Sequence, residues 1–198
     1  MLPFLDITDD TKQTYRLKEN EQAVFFMLNR SGTLTFELSG NGATAHVFAF
    51  FIGTKQEEGA LVISQQHLAP RTTSRVLVKS VLHDESRFSY RGTLHIAPTA
   101  ALSDASQENR NLLLSPLAKA FSEPSLEILT DDVRCRHAAT TSSLNQEALF
   151  FAQARGLTPL AAQTLLIDGF LFSSAETLGS LVSSQEKEKV LALLRQAL

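Results

Sequence analysis

Cys135 and His137 stand two residues apart in the run Asp131-Asp132-Val133-Arg134-Cys135-Arg136-His137. A thiol and an imidazole are the side chains of this stretch best suited to a soft metal or to sulfur transfer. On a strand Val133, Cys135 and His137 point to one side, and Asp132, Arg134 and Arg136 to the other. Two residues of strand span about 6.6 Å, so converging Cys135 and His137 side chains can share one metal or sulfur species. Two ligands do not complete a four-coordinate zinc or iron–sulfur site, and Cys135 is the only cysteine in the chain. Spacing alone therefore favours the plainer reading, a small buried hydrophobe beside a hydrogen-bonded histidine. An enzyme reading, with Cys135 as nucleophile and His137 as base, lacks an orienting third group, and no nucleophile-elbow glycines flank the cysteine.

The remaining polar groups carry less. Asp131 and Asp132 are consecutive, so on a strand they do not converge on one cation. His46 and His95 sit inside alternating runs as structural or surface residues, Glu127 is a solvated side chain or an interface contact, and Arg71, Arg75, Arg87 and Arg91 fit an ordinary solvated β surface.

The chain has 198 residues, with 18 Lys and Arg against 21 Asp and Glu and a formal charge of -3. That balance gives no electrostatic footprint for nucleic acid or an anionic membrane. The apolar runs, such as Gln22 to Leu28 and Ala45 to Ile52, are far shorter than the roughly 20 residues of a membrane helix. The first residues lack the basic region of an export signal. A lone cysteine excludes an intrachain disulfide and fits a reducing cytoplasm.

From about Tyr15 to Arg134 short extended segments alternate with turns. Leu34, Phe36 and Leu38 recur at period two against Thr33, Thr35 and Glu37, the pattern of a half-buried strand. Ser39-Gly40-Asn41-Gly42 predicts a turn. Beyond it Ala45, Val47, Ala49 and Phe51 alternate with His46, Phe48 and Phe50, a strand apolar on both faces and so covered on both sides. No strict short repeat is present, and the pattern leaves a sandwich and a β-solenoid both open. Asn111 to Phe121 reads equally as a helical turn or as strand and loop. After Thr141 the period changes to about 3.6. Capping-box spacing at Ser143 opens a helix over Asn145 to Arg155 closed by Gly156; Thr158-Pro159 opens a second; Ser183 and Glu186 open a third ending at Leu198.

Three ordered stretches resemble the SufB/SufD family of iron–sulfur cluster assembly proteins. Ser103-Asp104-Ala105-Ser106-Gln107-Glu108-Asn109-Arg110-Asn111-Leu112-Leu113-Leu114-Ser115 is similar to the family's T-D-A-x-Q-x-N-R-N-L-L-L-S. Pro124-Ser125-Leu126-Glu127-Ile128 followed by Asp131 to His137 resembles P-x-L-E-I-x-x-D-D-V-K-C-x-H. Leu149-Phe150-Phe151 with Arg155-Gly156-Leu157 and Ala161 to Phe170 is similar to L-F-Y-x-x-x-R-G-[IL] and its following helix.

The resemblance implies a mainly β fold, a right-handed parallel β-helix over residues 1–142 with a C-terminal α-helical region over 143–198 packed at one end of the stack. It implies a SufD-like scaffold subunit rather than an enzyme. Its partners would be a SufC-type ABC ATPase held by the C-terminal helices, through Leu165, Leu166, Phe170, Leu191 and Leu194, and a SufB-type paralogue or a second copy paired through the β-helix. It turns the preference at Cys135 and His137 toward ligation of a transient iron–sulfur cluster completed by the partner chain, with none held by this chain alone, and it makes Glu127 an interface candidate. Two features depart from the SufD pattern. His137-Ala138-Ala139-Thr140-Thr141-Ser142 stands closer to a SufB-type H-E-A-T-T-S, and strand-like sequence begins where the family commonly has an N-terminal helical region. An interaction module without cluster function is the alternative these departures support.

Overall fold

A computed structural model describes residues 1–198. The strands are β1 (Phe4–Asp6), β2 (Thr14–Leu17), β3 (Gln22–Leu28), β4 (Gly32–Leu38), β5 (Thr44–Gly53), β6 (Glu58–His67), β7 (Thr73–Leu82), β8 (Arg87–Ile96), β9 (Asp104–Leu113), β10 (Lys119–Ile128) and β11 (Arg134–Ser143). They alternate between two sheets, β1-β3-β5-β7-β9-β11 and β2-β4-β6-β8-β10, and every pairing is parallel. A chain that visits two parallel sheets in turn is a coil, and the fold is a parallel β-helix. One coil spans 22 residues from Gln22 to Thr44, 29 from Thr44 to Thr73, 31 from Thr73 to Asp104 and 30 from there to Arg134. Those unequal lengths are why the sequence shows no repeat.

Inside the coil the inward residues stack in ladders. Tyr15, Phe25, Phe36, Ala45, Val47, Phe51 and Phe88 belong to one buried cluster, with Phe51 stacked on Phe88 at 4.8 Å and Phe25 set edge-on to Phe36 at 5.0 Å. Asn111 to Phe121 resolves into the end of β9, a turn and the start of β10.

The helices are α1 (Gln146–Ala154), α2 (Pro159–Phe172), α3 (Ala175–Leu181) and α4 (Ser184–Ala197). They do not pack at one end of the stack. Ile167, Leu171, Leu178, Val190 and Leu194 instead share a buried cluster with Phe26, Phe48, Phe50 and Ile52 on the outer face of the six-stranded sheet. The reason is visible in β5, whose second apolar row needs its own cover. The first helix is capped by Asn145, whose side chain accepts from the Ala148 amide, not by Ser143, which ends β11. Gly156 at φ +94° closes it, Thr158 caps α2 and the Ser183–Glu186 capping box opens α4. α3 had no signal in the period pattern. No helix is long and apolar enough to cross a membrane.

The two ends of the coil differ. At the start Ile7 is buried, and Arg30 donates to the carbonyls of Ile7 and Lys12 and to the Tyr15 hydroxyl, so the end is plugged. At the other end β10 and β11 are edge strands. Phe121 and Leu129 stay about half exposed there, at 53% and 49%. Unpaired parallel edges with apolar side chains invite another chain.

Candidate functional site

Cys135 and His137 lie on β11, the last strand of the coil. Cys135 is paired with Ala105 and His137 with Gln107, both buried residues of β9, so the two side chains share the inward face. Cys135 packs against the small cluster of Leu94, Ile96, Ala100 and Ala105 and is half-buried, while His137 is exposed at the rim. Arg134 and Arg136 alternate outward, as strand geometry requires. Cys135, His137, Gln107 and Leu126 line one recess of about 620 Å³ at the open end.

Burial pushes the Cys135 thiol up, and the Asp104 carboxylate pushes it further in the same direction. The flanking arginines do not reverse this. A thiol held neutral is a poor free nucleophile, whereas a bound metal deprotonates its ligand thiol outright. The arrangement therefore suits capture of a metal or sulfur species more than attack on a substrate. No group of three or more His, Cys, Asp and Glu side chains converges on one point in the chain.

Behind the thiol the lumen is polar. Gln107 is 2% exposed, and neither its amide nitrogen nor its amide oxygen has a hydrogen-bond partner; the buried Tyr90 hydroxyl near it is also unpartnered. Gly92 makes room for this amide, because a Cβ there would fall 1.5 Å from Gln107 Nε2. Further along, Asn109 and Asn111 bond each other and Asn111 donates to the Thr141 hydroxyl of β11. These buried amides were not singled out by sequence. Their trace was membership of the family-like stretch Ser103 to Ser115, in which each stands at a motif position.

Glu127 on β10 is exposed and meets His95 Nδ1 at 2.9 Å on the outer face of the five-stranded sheet, away from the recess. Asp131 and Asp132 are exposed residues of the bend before β11. Among the helix positions, Leu165 is 54% exposed, Leu166, Phe170 and Leu191 are half-buried, and Leu194 is buried against the sheet. Other large apolar side chains of these helices are more exposed than Leu165: Phe150 and Phe151 on α1 and Leu160 on α2.

Comparison with known proteins concerns the chain as a whole. The family described as SUF system FeS cluster assembly, SufBD core domain, matches residues 25–170. The iron–sulfur cluster assembly protein SufD of Escherichia coli is 31% identical over 162 residues, which cover 82% of this chain and 38% of that protein. The chloroplastic protein ABCI7 of Arabidopsis thaliana is 37% identical over 102 residues, 51% of this chain and 22% of its own. The SufB protein of Bacillus subtilis is 29% identical over 137 residues, 68% of this chain and 29% of its own. The chain thus matches less than two fifths of each of these relatives.

Proposed function

The chain belongs to the SufB/SufD family, and from that premise we propose that it acts as a SufD-like scaffold subunit in iron–sulfur cluster assembly. The observation that carries this reading is the placement of Cys135 and His137 on the inward face of the last strand, at the open end of the coil. A cluster is cargo here rather than a resident group. Two ligands from one chain leave iron incompletely held, so a second chain docked on the open end supplies the rest, and an imidazole can stand in for thiolate on one iron. That chain is a SufB-type paralogue or a second copy, and Glu127 lies beside the edge it would meet.

The body at 1–142 carries the cluster ligands, and the region at 143–198 carries the ATPase contact. A SufC-type ABC ATPase would dock on the exposed apolar side chains of α1 and α2, Leu165 among them, with the half-buried Leu166, Phe170 and Leu191 contributing and Leu194 buried in the packing of the helices on the sheet. The scaffold works in the cytoplasm and performs no catalysis of its own. The test is co-expression with a SufB-type paralogue and a SufC-type ATPase. Ile128→Glu at the open end is expected to abolish pairing with the paralogue and leave ATPase binding intact. Pairing unchanged by that charge would place the partner elsewhere and remove the shared site.

A further inference from the structure

A second recess, of about 390 Å³, lies on the outer face of the six-stranded sheet where β7 and β9 meet the junction of α2 and α3. His46, Arg75, Lys79 and Arg110 line it, against Glu108 as the one lining carboxylate. Register sets Lys79 directly beside Arg110, like charge against like, and sets Arg75 beside His46, whose pKa burial and that guanidinium lower. Sheets avoid like charges directly opposite, since such pairs destabilise them. The arrangement is the more unusual in a chain whose net charge is -3.

Two ion pairs neutralise part of the charge. Arg75 bonds the Asp104 carboxylate at 2.7 Å and the carbonyls of Ser74 and Asp104. Arg110 grips Glu108 through Nε and Nη2 and leaves Nη1 without a protein partner. Lys79 remains. It is 1% exposed, and its ammonium meets the carbonyls of Phe170 and Leu171, the Ser173 hydroxyl and the face of the Phe170 ring, with no carboxylate in contact. Burial, with Arg110 adding repulsion, brings Lys79 down to about 8. A buried cation without a counter-charge is costly unless an anion approaches it. The guanidinium planes are already fixed by their protein partners, so an incoming oxyanion would meet organised donors.

We propose that this recess binds a small oxyanion of the phosphate class, with Arg110 and Arg75 donating to it and Lys79 providing the field behind them. The site lies on the opposite face of the sheet from Cys135 and does not depend on cluster assembly. The experiment is calorimetric titration of the 198-residue chain with inorganic phosphate and with pyrophosphate, ionic strength being held constant with sodium chloride. Saturable binding is expected, tighter for pyrophosphate. Arg110→Gln should weaken it at least about tenfold, and Arg110→Lys, which keeps the charge and loses the fork, at least about threefold. Arg91→Gln, an exposed arginine paired with Glu123 on the other sheet, should leave it unchanged. Absence of saturable binding, equal competition by chloride, or equal weakening by Arg91→Gln would overturn the proposal.

Discussion

Lys79 donates from Nζ to the backbone carbonyl of Phe170 at 2.6 Å, fastening the end of the second helix to the outer face of the coil. The last carbonyls of a helix have no partner of their own, and a lysine is a natural cap for them. Lys79→Ala should therefore cost about 1–2 kcal/mol, the scale of a lost charge-assisted bond, since the Phe170 and Leu171 carbonyls keep the hydroxyls of Ser173 and Ser174 as donors. Urea unfolding gives the loss. Hydrogen exchange should locate it in α2 and α3, and an exchange pattern that loosens evenly would contradict the assignment.

Gly92 and Gln107 are coupled across the lumen. Gly92→Ala drives a methyl group into the amide of Gln107 and should destabilise by about 1–3 kcal/mol, the usual range for overpacking. Adding Gln107→Ala should restore part of that loss, because it empties the contested space. Additive losses in the double-mutant cycle would show that the two side chains do not meet.

His67 is fully buried, with Nδ1 2.7 Å from the Thr72 hydroxyl and Nε2 2.7 Å from that of Ser74. Burial first, then Arg75, lowers it from 6.5 to about 4. The unfolded chain binds the proton first as pH falls, so the stability tied to neutral His67 is whole above about 6.5 and drains away toward 4. The shift corresponds to at most about 3 kcal/mol. Denaturation of the parent and of His67→Gln at several pH values should show their difference shrinking across that window. A constant difference would rule the linkage out.

Much of this architecture was legible in the chain. Strand β4 and the two-sided β5 were readable because alternation survives whenever one or both faces are buried. The seat of the helices was not, because a two-sided apolar strand states that cover is needed without stating what supplies it. That Cys135 and His137 share one side of a strand followed from period two, but neither the inward sense of that side nor the polar lumen behind it did. Gln107, Asn109 and Asn111 stood in a family-like stretch with no role attached until parallel register stacked them under β11. Lys79 was equally silent, since its partners lie about ninety residues away.

The helix surface separates packing from recognition. Leu165→Glu should abolish co-purification of the SufC-type ATPase while the melting temperature stays put, because Leu165 is exposed. Leu194→Ala should cost about 2–5 kcal/mol, as deletion of a buried leucine does. An ATPase that still binds the Leu165→Glu variant would move the docking surface off this face.

Iron and acid-labile sulfide bound to the assembled complex test the central claim most directly. Cys135→Ser and His137→Ala are each made in the full chain, assembled with the SufB-type partner and the ATPase, and supplied with ferrous iron and sulfide under reducing conditions. Each variant is expected to assemble as the parent does and to retain less than about a tenth of its iron and sulfide, the loss associated with removing one ligand from a set already split between two chains. Variants that assemble and load clusters as fully as the parent would contradict it, leaving Cys135 and His137 as packing and rim residues of a coil whose open end serves another purpose.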